Sequence, residues 1–194
     1  MNGTSRFSPL LAMPGPPASN RLPDCPVVSH RERRLDFRRD LVAGQRVIIS
    51  FIYSRCEGVC PMATERLRAV HARLAAAGGE PFRFISLSID PARDTPDDLH
   101  RYAARFGVAD IEGWDFVVGT PSATLALQRV LGALDPAEPG GTTDLRSHSG
   151  MLMMGNDRTN RWGGIAAGCE PAHIAAAFQR LTRPGSLRAM LEAG

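Results

Sequence analysis

The chain of 194 residues contains no lysine, and all of its 23 basic residues are arginine. The acidic residues number 20, which leaves a formal net charge of only +3. A small net charge without clustered basic residues argues against a nucleic-acid-binding protein. Long apolar runs are also missing, because the longest aliphatic and aromatic run, residues 47–53, is interrupted by Ser50. It falls far short of the roughly 20 apolar residues of a membrane-spanning helix.

The N-terminal segment lacks the features of a secretory signal peptide. Its apolar piece, residues 10–13, is shorter than the apolar region of about 7–15 residues that a signal peptide needs. Proline and glycine dominate residues 1–21, which we therefore interpret as a flexible tail. We interpret residues 22–183 as a single domain and residues 184–194 as a C-terminal extension. We expect either that the chain is not exported in this form or that its true start or anchor is missing.

Alternating strand-like and helix-like segments predict an α/β protein with a parallel core. Strands are predicted at 26–29, 34–37, 46–53, 82–89, 114–118, 150–155 and 161–165, and helices at 60–77, 95–106, 121–131 and 170–181. The first two strands would form an N-terminal β-hairpin, and the last two an antiparallel hairpin at an edge of the sheet. A long loop, residues 132–147, precedes this last hairpin. The combination predicts a thioredoxin-like fold, a central mixed sheet flanked by helices.

Two cysteines, Cys56 and Cys60, are separated by three residues where the first long strand meets the first helix. This junction lies at the carboxyl edge of a parallel sheet, where α/β proteins build their sites. The spacing predicts that the two thiols lie on one side of a helical turn, about 6 Å apart. A shared metal ion and a disulfide are both compatible with it. The helix N-terminus favours the thiolate form, whereas Glu57 opposes it.

Two thiolates make a metal site of low coordination, so a third ligand is expected among the five histidines. His148 ends the long loop immediately before a predicted strand, a position beside the redox loop in a thioredoxin-like fold. We expect His71 and His100 to be solvent-exposed residues of helices, and His30 and His173 to be structural or exposed. Zinc is an alternative metal, because two cysteines and one histidine with an open position are a known zinc arrangement.

Two segments resemble the SCO/SenC family, the copper chaperones of cytochrome c oxidase assembly. Residues 51–61, FIYSRCEGVCP, resemble the metal-site loop of the family, and residues 86–96, SLSIDPARDTP, resemble its S-I-D-P-x-x-D-T stretch. The resemblance extends over roughly residues 22–181. It implies a thioredoxin-like fold and one copper ion, as Cu(I) and also as Cu(II), held by Cys56, Cys60 and His148. Soft thiolates favour Cu(I), and imidazole also suits copper.

The resemblance also implies a biological setting. The partners would be the copper-receiving subunit of a respiratory oxidase or a similar cuproprotein, and a thiol reductant, with no nucleic acid. The location would be the periplasm or cell envelope, with membrane contact only through a missing anchor or a partner. Delivery of copper would not be an enzyme activity in the turnover sense. One departure is Ser147, since many members carry aspartate immediately before the histidine.

Two other functions are compatible with the cysteine pair. A thiol–disulfide oxidoreductase could keep the copper-site cysteines of a partner reduced. Thioredoxin-type enzymes, however, place a cis-proline immediately before the hairpin strand, and here that position reads His148-Ser149-Gly150. A thiol peroxidase is less favoured, because its reactive cysteine lies in a loop of different pattern.

The remaining polar and sulfur-containing residues receive structural interpretations. We expect Cys25 and Cys169 to be lone structural cysteines, with a disulfide between them or an additional metal ligand as the alternative. Thr95 and Pro96 would begin the next helix, with Thr95 as its cap. Asp90 and Asp94 would form a turn and help to cap that helix rather than act as an acid–base pair. Met151 and Met153 share one face of the hairpin strand and would pack in the core, and we do not expect these two residues or Met154 to bind copper.

Overall fold

A computed structural model describes residues 22–133 and 150–183. The predicted tail, the C-terminal extension, most of the long loop and His148 lie outside this part of the chain. Seven strands in the described part form a single mixed sheet in the order β2-β1-β5-β4-β3-β6-β7. The strands are β1 Pro26–Ser29, β2 Arg34–Asp36, β3 Arg46–Ile52, β4 Arg83–Ser88, β5 Trp114–Gly119, β6 Met151–Asn156 and β7 Arg161–Ala166.

Four α-helices accompany the sheet in the described ranges, and their bounds follow the sequence prediction closely. They are α1 Val59–Ala77, α2 Pro96–Arg105, α3 Pro121–Val130 and α4 Pro171–Thr182. The central strands β3, β4 and β5 are parallel, whereas β1–β2 and β6–β7 are antiparallel pairs. The predicted α/β class, with hairpins at both ends, is confirmed.

The helical element that follows β2 was not predicted. A short π-helical segment, Phe37–Val42, follows β2, and Asp36 caps it by accepting the Arg39 N–H at 2.8 Å. Phe37 and Leu41 are fully buried. The charged residues between them concealed the apolar face, because six residues are too few to establish a helical period.

The sheet separates two hydrophobic core clusters. Along β3, Ile48 and Ile52 belong to one cluster, whereas Val47 and Ile49 belong to the other, as the alternation of side chains in a strand requires. The first cluster, which we call the cysteine-side core, contains residues of α1, α2 and α4 together with Cys56. The pair of cysteines is therefore anchored in the packed interior and not on a separate surface loop.

A buried carboxylate ties the other end of the sheet together. Asp115 of β5 is 1% exposed and pairs with Arg33 at 2.5 Å, Arg83 at 2.9 Å and Arg31 at 3.4 Å. A buried charge of this kind is tolerated only when it is paired. The three guanidinium groups join β4, β5 and the β1–β2 hairpin at the edge of the sheet that lies away from the cysteines.

The described histidines differ in part from expectation. The prediction that His71 is solvent-exposed is wrong: it is half-buried, and its ring packs against those of Phe82 and Phe84 at 5.2 and 5.4 Å between centroids. His100 is exposed, as predicted, and stacks on His30 at 6.1 Å. His30 itself is buried and structural. In the described part of the chain, no helix has the length and apolar character to span a membrane.

Both ring nitrogens of His30 are used by the fold in the neutral state. Nδ1 accepts the Phe116 N–H at 3.2 Å, and Nε2 donates to the Ala109 carbonyl at 3.0 Å. Burial lowers the pKa of His30 from its ordinary 6.5, and Arg31 adds to this shift, whereas the Ala109 carbonyl and Asp115 oppose it. Protonation would place a proton on Nδ1 against the Phe116 N–H.

We therefore predict that acid weakens the fold through His30. Because the pKa is lower in the folded than in the unfolded state, the contribution to stability is complete above pH 6.5. It is lost as the pH falls below that value. Chemical denaturation between about pH 5 and pH 8 should show a smaller loss of unfolding free energy in His30→Asn. The variant keeps the part of the pH dependence that comes from His71, because burial lowers the pKa of His71 as well. An identical pH dependence in the variant would contradict the prediction.

Candidate metal centre

The site begins where β3 ends. Cys56 closes a turn by donating its N–H to the Tyr53 carbonyl at 3.1 Å, and Gly58 then caps α1, which starts at Val59. Cys60 lies in the first turn of α1, as the sequence predicts. The expectation that both cysteines share one helical turn is wrong, because Cys56 lies in the loop before the helix. The loop nevertheless folds back and brings the two sulfur atoms into hydrogen-bond contact.

The two thiols are shielded from solvent but are not bonded to each other. Cys56 is 5% exposed and Cys60 is 1% exposed, and both are free thiols. Thr64, one turn further along α1, helps to hold the backbone of Cys60 in place. Its hydroxyl donates to the Cys60 carbonyl at 2.9 Å and lies 2.9 Å from the hydroxyl of Tyr102 of α2. A hydrogen bond between a side chain of α1 and one of α2 thus lies next to the backbone of Cys60.

The surroundings make the two sulfurs unequal. Burial raises the pKa of the Cys56 thiol, but hydrogen bonds from the backbone and thiol of Cys60, the backbone of Gly58 and the hydroxyl of Tyr53 outweigh it. The net pKa of Cys56 is below its ordinary 9.0. Burial and the contact with Cys56 raise the pKa of Cys60 far above that value. Cys56 is therefore the sulfur that ionises first and the stronger candidate for the initial ligand or nucleophile.

The chemistry of this donor pair fits a soft metal ion. Two thiols in contact, within an apolar environment that excludes water, match the preference of Cu(I) for sulfur ligands. Among residues 22–133 and 150–183, no group of three cysteine, histidine, aspartate or glutamate side chains could hold a metal ion. The predicted third ligand, His148, lies outside the described residues.

Neither of the other two cysteines joins the pair. Cys25 is buried in the core cluster on the opposite face of the sheet, with its thiol 4.0 Å from the Ala123 carbonyl. Cys169 is a half-buried free thiol that packs at the cysteine-side core. The two thiols therefore belong to different faces of the sheet, which is incompatible with a disulfide between them. The structural interpretation of Cys25 is confirmed.

A crevice opens beside Cys60 at this end of the sheet. Its walls are the apolar side chains of β3, α1 and β6: Phe51, Val59, Ala63, Met151 and Leu152. Gly150 also lines it, and a Cβ atom built on Gly150 would lie 3.4 Å from Val59 Cγ2. The beginning of β6 is therefore packed against the beginning of α1. Met153 is buried in the core, as predicted, whereas Met151 is only half-buried and lines the crevice.

Asp94 contributes to the site in a way that sequence reasoning missed. Its carboxylate, 5% exposed, accepts the Ser54 N–H at 3.1 Å and the hydroxyls of Ser54 and Ser88, both at 2.6 Å. The predicted cap of α2 by Thr95 is confirmed and is completed by Asp98, whereas the expectation that Asp94 caps this helix is wrong. Asp90 forms the predicted turn through its backbone carbonyl. In the sequence, the only sign that Asp94 is connected to the cysteine pair was that its partner Ser54 lies two residues before Cys56.

Comparison with known proteins relates the chain to one family. The model of the SCO1/SenC family matches residues 27–183. The SCO1 protein homolog of Bacillus subtilis is 33% identical over 76 residues, 39% of this chain and 38% of that protein. A Stutzerimonas stutzeri protein whose name proposes copper binding is 26% identical over 141 residues, 71% of this chain and 65% of that protein. The chain thus spans less than two thirds of the length of either relative.

Solved structures show the same fold. Copper-bound yeast Sco1 superposes with a TM-score of 0.65 at 18% identity, covering 85% of this chain and 91% of that one. A SCO1/SenC family lipoprotein of Bacillus anthracis gives a TM-score of 0.63 at 18% identity, with coverages of 82% and 94%. The predicted thioredoxin-like arrangement is confirmed by these neighbours. Together with the family match over most of the domain, they show that the chain belongs to the SCO1/SenC family.

Proposed function

We propose that this protein binds copper and delivers it to a cytochrome oxidase-type partner. The observation that carries the proposal is the contact between the sulfurs of Cys56 and Cys60 in a buried, apolar site at the start of α1. Two soft sulfur donors in contact suit Cu(I). A relative named for copper binding and a structural neighbour solved with copper bound support the same metal.

His148 is the proposed third ligand. It precedes Gly150 by two residues, so the covalent chain limits their Cα separation to about 7 Å. Gly150 lines the crevice beside Cys60 and packs close to Val59, and this position of Gly150 supports the choice of His148. Two thiolates and one imidazole would give a three-coordinate site for Cu(I), with Cu(II) as the second state to be tested.

Copper is the cargo in this proposal, and the protein is not an enzyme in the turnover sense. The receiving protein would be the copper-binding subunit of a respiratory oxidase or a similar cuproprotein, and a thiol reductant would keep the pair reduced. We propose that the protein acts in the periplasm or at the cell envelope, and a structural neighbour that is a lipoprotein of the same family supports this location.

A thiol–disulfide oxidoreductase is the second candidate function. It is favoured by the unequal pair, in which the Cys56 sulfur has a lowered pKa and the Cys60 thiol lies against it. A low-pKa sulfur is the one that attacks a partner disulfide, and a neighbouring thiol resolves the mixed disulfide. Copper delivery and thiol exchange therefore use the same two atoms and must be separated by experiment.

Oxidation is predicted to abolish copper binding. A disulfide between Cys56 and Cys60 removes both thiolates, so Cu(I) loading, measured by competition with a colorimetric chelator, should require prior reduction. Cys25→Ser and Cys169→Ser serve as controls and should bind as the unaltered protein does, because neither thiol joins the pair. Full copper affinity after peroxide treatment would argue against the site.

Replacing His148→Ala is predicted to separate the two functions. The imidazole completes the coordination of copper, but it contributes no atom to the Cys56–Cys60 disulfide. The variant should lose at least tenfold in Cu(I) affinity, on the order of 1.4 kcal/mol, and keep a reversible dithiol–disulfide couple. In a host that lacks its own copy, it should fail to support copper loading of the oxidase. Restoration of the oxidase by a variant that binds no copper would establish thiol exchange as the function instead.

A further inference from the structure

The turn that carries Cys56 is held by a single buried carboxylate. The Asp94 carboxylate accepts hydrogen bonds from the backbone N–H and the hydroxyl of Ser54, which is the second residue of the turn. It also accepts a hydrogen bond from the hydroxyl of Ser88 at the end of β4. Hydrogen bonds to a charged acceptor are stronger than those between neutral groups. None of the ion pairs found among the described residues involves Asp94, so these donors are what stabilise its charge.

The same turn contacts both sulfurs of the pair. It starts at Tyr53, whose hydroxyl donates to the Cys56 sulfur and whose backbone lies within hydrogen-bond reach of the Cys60 sulfur. It ends at Cys56, whose N–H closes the turn on the Tyr53 carbonyl. The position of Ser54 therefore fixes where the Cys56 sulfur lies relative to the first turn of α1, and Asp94 fixes Ser54.

We propose that Asp94 is a positioning residue that holds the Cys56–Cys60 pair in its dithiol arrangement and thereby sets the equilibrium between dithiol and disulfide. Both cysteines are free thiols in this arrangement. A disulfide would constrain the pair covalently and would depend less on the turn. Loss of the carboxylate should therefore destabilise the dithiol more than the disulfide and make the pair easier to oxidise. The consequence for copper rests on the proposed function, because only the dithiol presents both sulfurs to the metal.

The neighbouring Asp90 provides a matched control in the same loop. Its backbone carbonyl accepts the Arg93 and Asp94 N–H groups at 3.0 and 2.9 Å, and a substitution of the side chain leaves these bonds intact. Its carboxylate pairs only at 3.8 Å with the exposed Arg93. Asp90→Asn therefore removes a carboxylate charge from the same loop without releasing Ser54.

The test is the midpoint potential of the metal-free pair, measured by equilibration with glutathione buffers. In this reaction the protein dithiol and oxidised glutathione exchange to the protein disulfide and two reduced glutathiones. All variants carry Cys25→Ser and Cys169→Ser, so that only one pair responds. Asp94→Asn should favour the disulfide by about tenfold, equal to a potential about 30 mV more negative. Asp90→Asn should stay within twofold of the unaltered pair.

Ser54→Ala supplies a second variant. It keeps the backbone bond to Asp94 and removes only the hydroxyl bond, so it should shift the potential in the same direction by a smaller factor. If Asp94→Asn does not fold, an unchanged potential in Ser54→Ala overturns the inference. An unchanged or more positive potential in a folded Asp94→Asn, or an equal shift in Asp90→Asn, also overturns it.

Copper titration of the same variants separates this inference from the proposed function. Asp94→Asn should lower Cu(I) affinity by about tenfold relative to Asp90→Asn, in line with the lost dithiol preorganisation. If none of the proteins binds copper, the proposed function fails, whereas the potential shift still supports the role of Asp94. If the unaltered protein binds copper and Asp94→Asn binds it equally with an unshifted potential, the proposed function stands and the role of Asp94 is overturned.

Discussion

The contact between the Cys56 and Cys60 sulfurs is the interaction around which this end of the molecule is organised. The contact exists because the buried strand Arg46–Ile52 ends at the edge of the sheet. A short loop then turns the chain back onto the start of α1. The helix N-terminus supplies backbone donors to the Cys56 sulfur, while burial keeps the proton on Cys60. The Cys56 sulfur therefore ionises first, while the Cys60 thiol stays protonated in contact with it.

The rest of the fold gives this contact its rigidity. Cys56 and Cys60 belong to the same core cluster as the buried faces of α1, α2 and α4, so displacement of either sulfur would disturb well-packed side chains. Asp94 adds a polar constraint that packing alone cannot provide, because a carboxylate with several donors fixes direction as well as distance. The ion-pair network of Asp115 lies at the opposite edge of the sheet and stabilises the fold without entering the site.

Much of the fold could be predicted from the sequence because its elements carry local signals. Strand β3 is a continuous β-branched run, and Thr95 with Pro96 marks the start of α2. The π-helical segment Phe37–Val42 was missed because it is too short to show a period. His71 was placed in solvent because its partners, Phe82 and Phe84, lie on another element. The role of Asp94 was hidden for the same reason: its partners Ser54 and Ser88 come together only when β3 and β4 pair.

The two cysteines could be predicted from their spacing, but the order in which they ionise depends on contacts made in three dimensions. The central claim is that these two sulfurs, with one imidazole, form the whole inner coordination of a single copper ion. X-ray absorption on the reduced protein loaded with one equivalent of Cu(I) tests it most directly. The expected spectrum has about two sulfur neighbours and one nitrogen neighbour, as two thiolates and an imidazole require. A shell of three or more sulfurs would contradict the claim, because it would bring a sulfur from outside the Cys56–Cys60 pair into the site.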